Sequence, residues 1–123
     1  MRSILPTLLL AGLMAGAIGA TGAQAHPRVL AADPAVNGAV SARPASLSIT
    51  FSEPLFVRLC SVTLKDGAGH TVRTGPSILA PGNNRQLVTP ILTPLAPGSY
   101  SVTWHAVSAD THRVQGAYAF SVR

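Results

Sequence analysis

Residues 26–123 of the chain are predicted to form a β-sandwich of two antiparallel sheets, on three observations. Short runs alternate apolar and polar residues with period two, clusters of Pro, Gly and Asn separate those runs, and no stretch presents an apolar face at helical spacing. The 98 residues suffice for one domain with one core, and the runs and turns accommodate about seven strands.

Each run carries its own argument. Leu47, Ile49 and Phe51 alternate with Ser48, Thr50 and Ser52, so a strand there has one dry and one wet face. In the next run Cys60, Val62 and Leu64 share a phase, which puts the single cysteine on the apolar side. Tyr100, Val102, Trp104 and Ala106 alternate with Ser101, Thr103 and His105. Trp104, the largest apolar side chain, is expected between the sheets. Tyr118, Phe120 and Val122 close the chain in the same rhythm. The intervening "DPAVNG", "DGAG", "APGNN" and "APGS" supply the fixed or positive φ angles that turns require. No repeat, linker or low-complexity segment divides the region.

Residues 1–25 read differently. Met1-Arg2 makes a short positive start, residues 4–20 an apolar run, and Ala23-Gln24-Ala25 an A-x-A cleavage site, the three parts of a secretory signal peptide. Pro6 and several glycines interrupt the run and no charged stop-transfer flank follows, so a permanent membrane helix is the weaker reading. Cleavage after Ala25 is expected, leaving an exported domain, 26–123, that begins at His26. No later stretch approaches the roughly 20 apolar residues needed to cross a bilayer.

Composition narrows the function. Without Arg2, eight Lys and Arg face Asp33, Glu53, Asp66 and Asp110, a net charge of +4 with His neutral. The basic residues are scattered singly, with no aromatic interleaving, which reads as a solvated surface and speaks against nucleic-acid binding. Cys60 is alone, forms no internal disulfide, and is expected to be a buried inert thiol. Four acids leave little for acid–base catalysis, and the sequence has no G-x-S-x-G elbow, H-E-x-x-H, Gly-rich phosphate loop or C-x-x-C pair.

The histidines carry more information. A freed His26 offers its α-amine and its imidazole to one metal ion, and an ordinary α-amine pKa of about 7.7–8.0 leaves only a modest proton to displace. Pro27 has no backbone N–H, so the next nitrogen cannot be recruited as an amide ligand. Further ligands are expected from "SADTHRVQG", where Asp110 and His112 are one residue apart. In extended backbone such a pair points the same way. The resulting N,N,N,O set favours Cu(II) in tetragonal geometry, and Zn(II) could use the same ligands tetrahedrally. Taken singly, either motif is as readily a processed chain end or a hairpin turn. Their conjunction in an acid-poor domain is what points to a metal.

The mature His-Pro end, "DPAVNGAV", "LSITFSEPL" and "LAPGSYSVTWHAVSADTHRVQGAYAFSV" occur in an order that resembles the CopC family of periplasmic copper-resistance proteins, over essentially the whole of 26–123. The resemblance implies an immunoglobulin-like Greek-key sandwich that binds copper in the periplasm and sequesters it or delivers it to a CopD-type inner-membrane partner. It also implies Cu(II) ligands at His26, Asp110 and His112, one ion per chain. Two departures stand out. Met1 and Met14 both lie in the leader, so a methionine-rich Cu(I) site is not expected. Thr111 stands where the family usually has Gly, and a β-branched residue is strained if that position needs positive φ.

Other candidates are weaker. Glu53 in "FSEPL" is either an acceptor that orients a ligand imidazole or a surface carboxylate. His105 alternates out of phase with Trp104 and is expected to be exposed, and His70 beside Gly69 to be solvated. A monomeric copper carrier without turnover is the leading expectation. The alternatives are an oxidative enzyme with a copper histidine brace and a metal-free β-sandwich interaction module.

Overall fold

The structure, a computed structural model, describes residues 26–123. The signal peptide expected over residues 1–25, with its cleavage after Ala25, lies outside the described residues.

Nine strands form among the described residues: β1 (Val29–Asp33), β2 (Ala39–Val40), β3 (Ser46–Phe51), β4 (Ser61–Asp66), β5 (Thr71–Val72), β6 (Ile78–Ala80), β7 (Asn83–Pro90), β8 (Gly98–Val107) and β9 (Arg113–Val122). One 3₁₀ turn, Val57–Leu59, precedes β4. The sandwich expected from the alternating runs is therefore present, with more strands than about seven because β2, β5 and β6 are only two or three residues long. Such short elements carry too few residues to show a period.

One sheet runs β1-β3-β7-β6 and the other β2-β9-β8-β4-β5. The chain crosses between sheets repeatedly, so sheet neighbours are mostly not sequence neighbours, and the long β8–β9 hairpin is the main exception. All pairings are antiparallel save one: β2 joins β9 in parallel, with Ala39 opposite Ser121.

Period-two alternation becomes burial. In β3 the pattern is strict, with Leu47, Ile49 and Phe51 inside. From the other sheet Val62, Leu64, Tyr100, Val102, Trp104, Ala106, Tyr118, Phe120 and Val122 face them. Trp104 is 8 % exposed and meets Phe51 edge to face, ring centroids 5.1 Å apart. Gly116 pairs with Trp104 across the hairpin because a Cβ there would stand 2.4 Å from Trp104 Cζ2. At the mouth of β8 the Tyr100 hydroxyl donates to Ala96 O at 2.6 Å, the corner that such sandwiches use to pin a strand's start.

Candidate metal centre

His26 leads into one sheet, while Asp110 and His112 lie on the β8–β9 loop of the other. One short segment, 52–56, brings them together. Ser52, just past β3, accepts the Arg28 N–H on its Oγ at 2.9 Å and donates its own N–H to Arg28 O at 2.8 Å. That clamp holds the residues behind His26 in place, with Pro27 buried. The segment then reaches the other sheet. Leu55 bridges Ser108, Phe56 N–H donates to Val107 O at 2.8 Å, and Ala109 N–H donates to Pro54 O at 2.8 Å.

The loop itself is a tight turn rather than the extended backbone expected from the one-residue spacing. β8 ends at Val107 and β9 begins at its partner Arg113, so the chain must reverse within residues 108–112. Thr111 N–H donates to Ser108 O at 2.8 Å, Ser108 N–H donates to His112 O at 2.9 Å, and Thr111 takes the left-handed conformation at φ 73°. The positive φ suspected at Thr111 is thus present, and its hydroxyl donates to Asp110 O at 2.5 Å.

Despite the turn, Asp110 and His112 meet. His112 Nδ1 stands 3.1 Å from Asp110 Oδ1, with both side chains about half exposed. The His26 and His112 rings are perpendicular, centroids 5.2 Å apart. Two donors bonded to one ion at about 2.0 Å and a right angle to each other lie about 2.8 Å apart, so the Asp110–His112 edge is within about 0.3 Å of that of two neighbouring ligands. Among the described residues no three His, Cys, Asp or Glu side chains enclose a common point closely enough to hold an ion. Of the candidate ligands the structure joins Asp110 to His112 and places the His26 ring beside them.

The electrostatics suit a cation. A hydrogen bond from the Ser108 hydroxyl, then one from His112, hold the Asp110 carboxyl down at about 2, so it is anionic through the neutral and mildly acidic range. Ser108 also accepts the His112 N–H on Oγ at 3.1 Å. The sequence reading overlooked Ser108. A serine two places before the aspartate of a hairpin loop is the signal that points to it, since such side chains bond nearby backbone in preference to a strand ladder.

The remaining candidates stand apart from this cluster. Glu53 is half-buried in the connecting segment and forms no ion pair with either imidazole among the described residues. His105 is exposed, 3.5 Å from Ser61 Oγ, and His70 is exposed 3.6 Å from Asp66, both as expected. Cys60 sits just ahead of β4 and is half-buried rather than fully buried. Its sulfur accepts the Val107 N–H at 3.4 Å, and burial pushes the thiol up, consistent with an unreactive group.

Residues 29–123, which include the whole β8–β9 loop, match the CopC domain. The chain belongs to the CopC family. It is 32 % identical to copper resistance protein C of Pseudomonas syringae pv. tomato over 127 residues, covering 99 % of this chain and 97 % of that one. Among solved structures it resembles CopC from Methylosinus trichosporium OB3b, with TM-score 0.73 and 28 % identity over 79 % of this chain and 93 % of that one. It also resembles PcoC, a methionine-rich copper resistance protein from Escherichia coli, with TM-score 0.72 and 31 % identity over 80 % of this chain and 100 % of that one. This CopC-family chain is accordingly a periplasmic copper-binding protein with an immunoglobulin-like fold, from a family that is not catalytic.

Proposed function

We propose that the mature protein, a monomer beginning at His26 after cleavage behind Ala25, binds one Cu(II) ion. The ligands are the α-amine and imidazole of His26, the Asp110 carboxylate and the His112 imidazole. The ion is then sequestered or delivered to a CopD-type inner-membrane partner. The observation that supports this reading is the meeting of the His26 ring with the Asp110–His112 pair, 5.2 Å between rings and 3.1 Å along the carboxylate–imidazole edge.

While Ala25 is attached, the His26 nitrogen is an amide and a poor donor. Cleavage makes it an amine, so processing completes the ligand set. Three nitrogens and one carboxylate oxygen suit Cu(II) in tetragonal geometry. The soft thioethers that favour Cu(I) are missing from 26–123, since both methionines, Met1 and Met14, precede it.

The test is a Cu(II) titration with electron paramagnetic resonance on protein beginning at His26 and on protein carrying one extra Ala before it. One equivalent with nitrogen-rich tetragonal spectra for the native end, lost in the extended form, supports the reading. Identical behaviour of the two forms removes the chain end from the site.

A further inference from the structure

We infer that Ser108 is a positioning residue for the metal site: its buried hydroxyl aims the Asp110 carboxylate. The inference rests on the proposed ligand set and extends it to a residue outside that set.

Ser108 is one of two buried polar or charged residues described, only 2 % exposed, and its place is set by the core rather than by the loop. Its backbone bridges Leu55 and closes the 108–112 turn through Ser108 N–H to His112 O and Thr111 N–H to Ser108 O. The hydroxyl then faces inward to the turn, where it donates to Asp110 Oδ1 and accepts the His112 N–H at 3.1 Å. One proton and one lone pair are thereby committed to the two residues proposed as ligands.

The oxygen that Ser108 holds is the one that lies 3.1 Å from His112 Nδ1. Asp110 is half exposed and would otherwise sample several rotamers, each carrying the oxygen away from the imidazole. A donor anchored in the core removes that freedom before an ion arrives. Carboxylate ligands are usually oriented by such outer hydrogen bonds, and losing one typically weakens metal binding roughly 10–100-fold.

A merely structural role predicts something different. Ser108→Ala keeps both backbone hydrogen bonds of the turn and the Leu55 bridge, and removes only the hydroxyl. The experiment compares wild type, Ser108→Ala, Asp110→Ala and the double variant, all beginning at His26. Cu(II) affinity is read by chelator competition, the ligand field by electron paramagnetic resonance, and metal-free stability by thermal unfolding.

The expected result is a loss of roughly 10–100-fold in Ser108→Ala with an altered spectrum, and a further loss below about threefold when Ser108→Ala is added to Asp110→Ala. Wild-type affinity and spectrum in Ser108→Ala overturn the inference while leaving the site intact. An equal loss in both backgrounds also overturns it, because the effect then bypasses Asp110. Wild type that binds no Cu(II) overturns the site and this inference together. Should Ser108→Ala fail to fold, Ser108→Gly, which also lacks the hydroxyl and brings no new donor to the site, is read against the same outcomes.

Discussion

Replacing Thr111 by glycine should stabilise the metal-free protein, although Thr111 sits beside the proposed ligands and makes a hydrogen bond of its own. Its φ of 73° is left-handed, a conformation that costs an ordinary residue about 1–2 kcal/mol, and a β-branched side chain belongs at the upper end. Glycine removes that strain but adds about 0.4–1 kcal/mol of chain entropy to the unfolded state. The Thr111 hydroxyl bond to Asp110 O is exposed and local, so it contributes about 0.5 kcal/mol. The balance is a gain of about 0.5–1 kcal/mol, or roughly 2–8 °C in Tm for a domain of this size. Thermal unfolding followed by circular dichroism reads it directly, with Cu(II) affinity expected to stay within about threefold of wild type. A Tm that falls by several degrees would refute the reasoning, because the side-chain bond would then outweigh the backbone strain.

Two further outcomes follow from the geometry. Gly116→Ala would drive a Cβ to 2.4 Å from Trp104 Cζ2, so the indole or the hairpin must shift, at a cost of about 1–3 kcal/mol. Its Tm should drop and its tryptophan emission move to the red, whereas an unchanged Tm would mean that Trp104 has room to turn. The carboxyl of Asp110, held down at about 2, keeps its charge through the ordinary carboxylate range and loses it only as pH falls through about 2. The ratio of Cu(II) affinities of wild type and Asp110→Asn should therefore stay constant from about pH 7 down to about pH 4. A ratio that roughly halves as pH falls from about 6 to about 4 would show that the carboxyl titrates normally.

The long strands were legible because burial on one face leaves a period of two in the sequence, as in Leu47, Ile49 and Phe51 or Tyr100 to Ala106. The parallel β2–β9 pair and the two-residue β5 were not, since two residues have no period and their pairing is decided by tertiary contacts. The candidate ligands were legible as residue types: a histidine behind a cleavage site, and an Asp and His one residue apart. Their conformation was not. The spacing suggested a strand, but the hairpin must turn between Val107 and Arg113, and only the closed loop shows Thr111 left-handed. Nor does spacing reveal that Ser52 and Leu55 carry the meeting of His26 with His112, since that contact joins residues 86 apart through a third segment.

That third segment explains why the proposed site sits at this edge of the sandwich. The clamp at Ser52 belongs to the sheet of β1 and β3, and the Leu55–Ser108 bridge to the sheet of β8 and β9. An ion held by His26 on one side and by Asp110 and His112 on the other adds a third link across the same edge. The full proposed ligand set exists only when both sheets are docked, so copper binds the native state more tightly than the unfolded chain, which keeps only the His26 chelate and scattered side chains. Binding of that kind stabilises by RT ln(1 + [L]/Kd), which rises by about 1.4 kcal/mol for each tenfold excess of free ion over Kd. Capture and folding are then one equilibrium. In the proposed site His26 offers an amine only after its preceding peptide bond is cut, so cleavage comes before capture. A chain still carrying its leader lacks the chelating end, so the proposed site is silent until the protein has reached the compartment where its cargo is met.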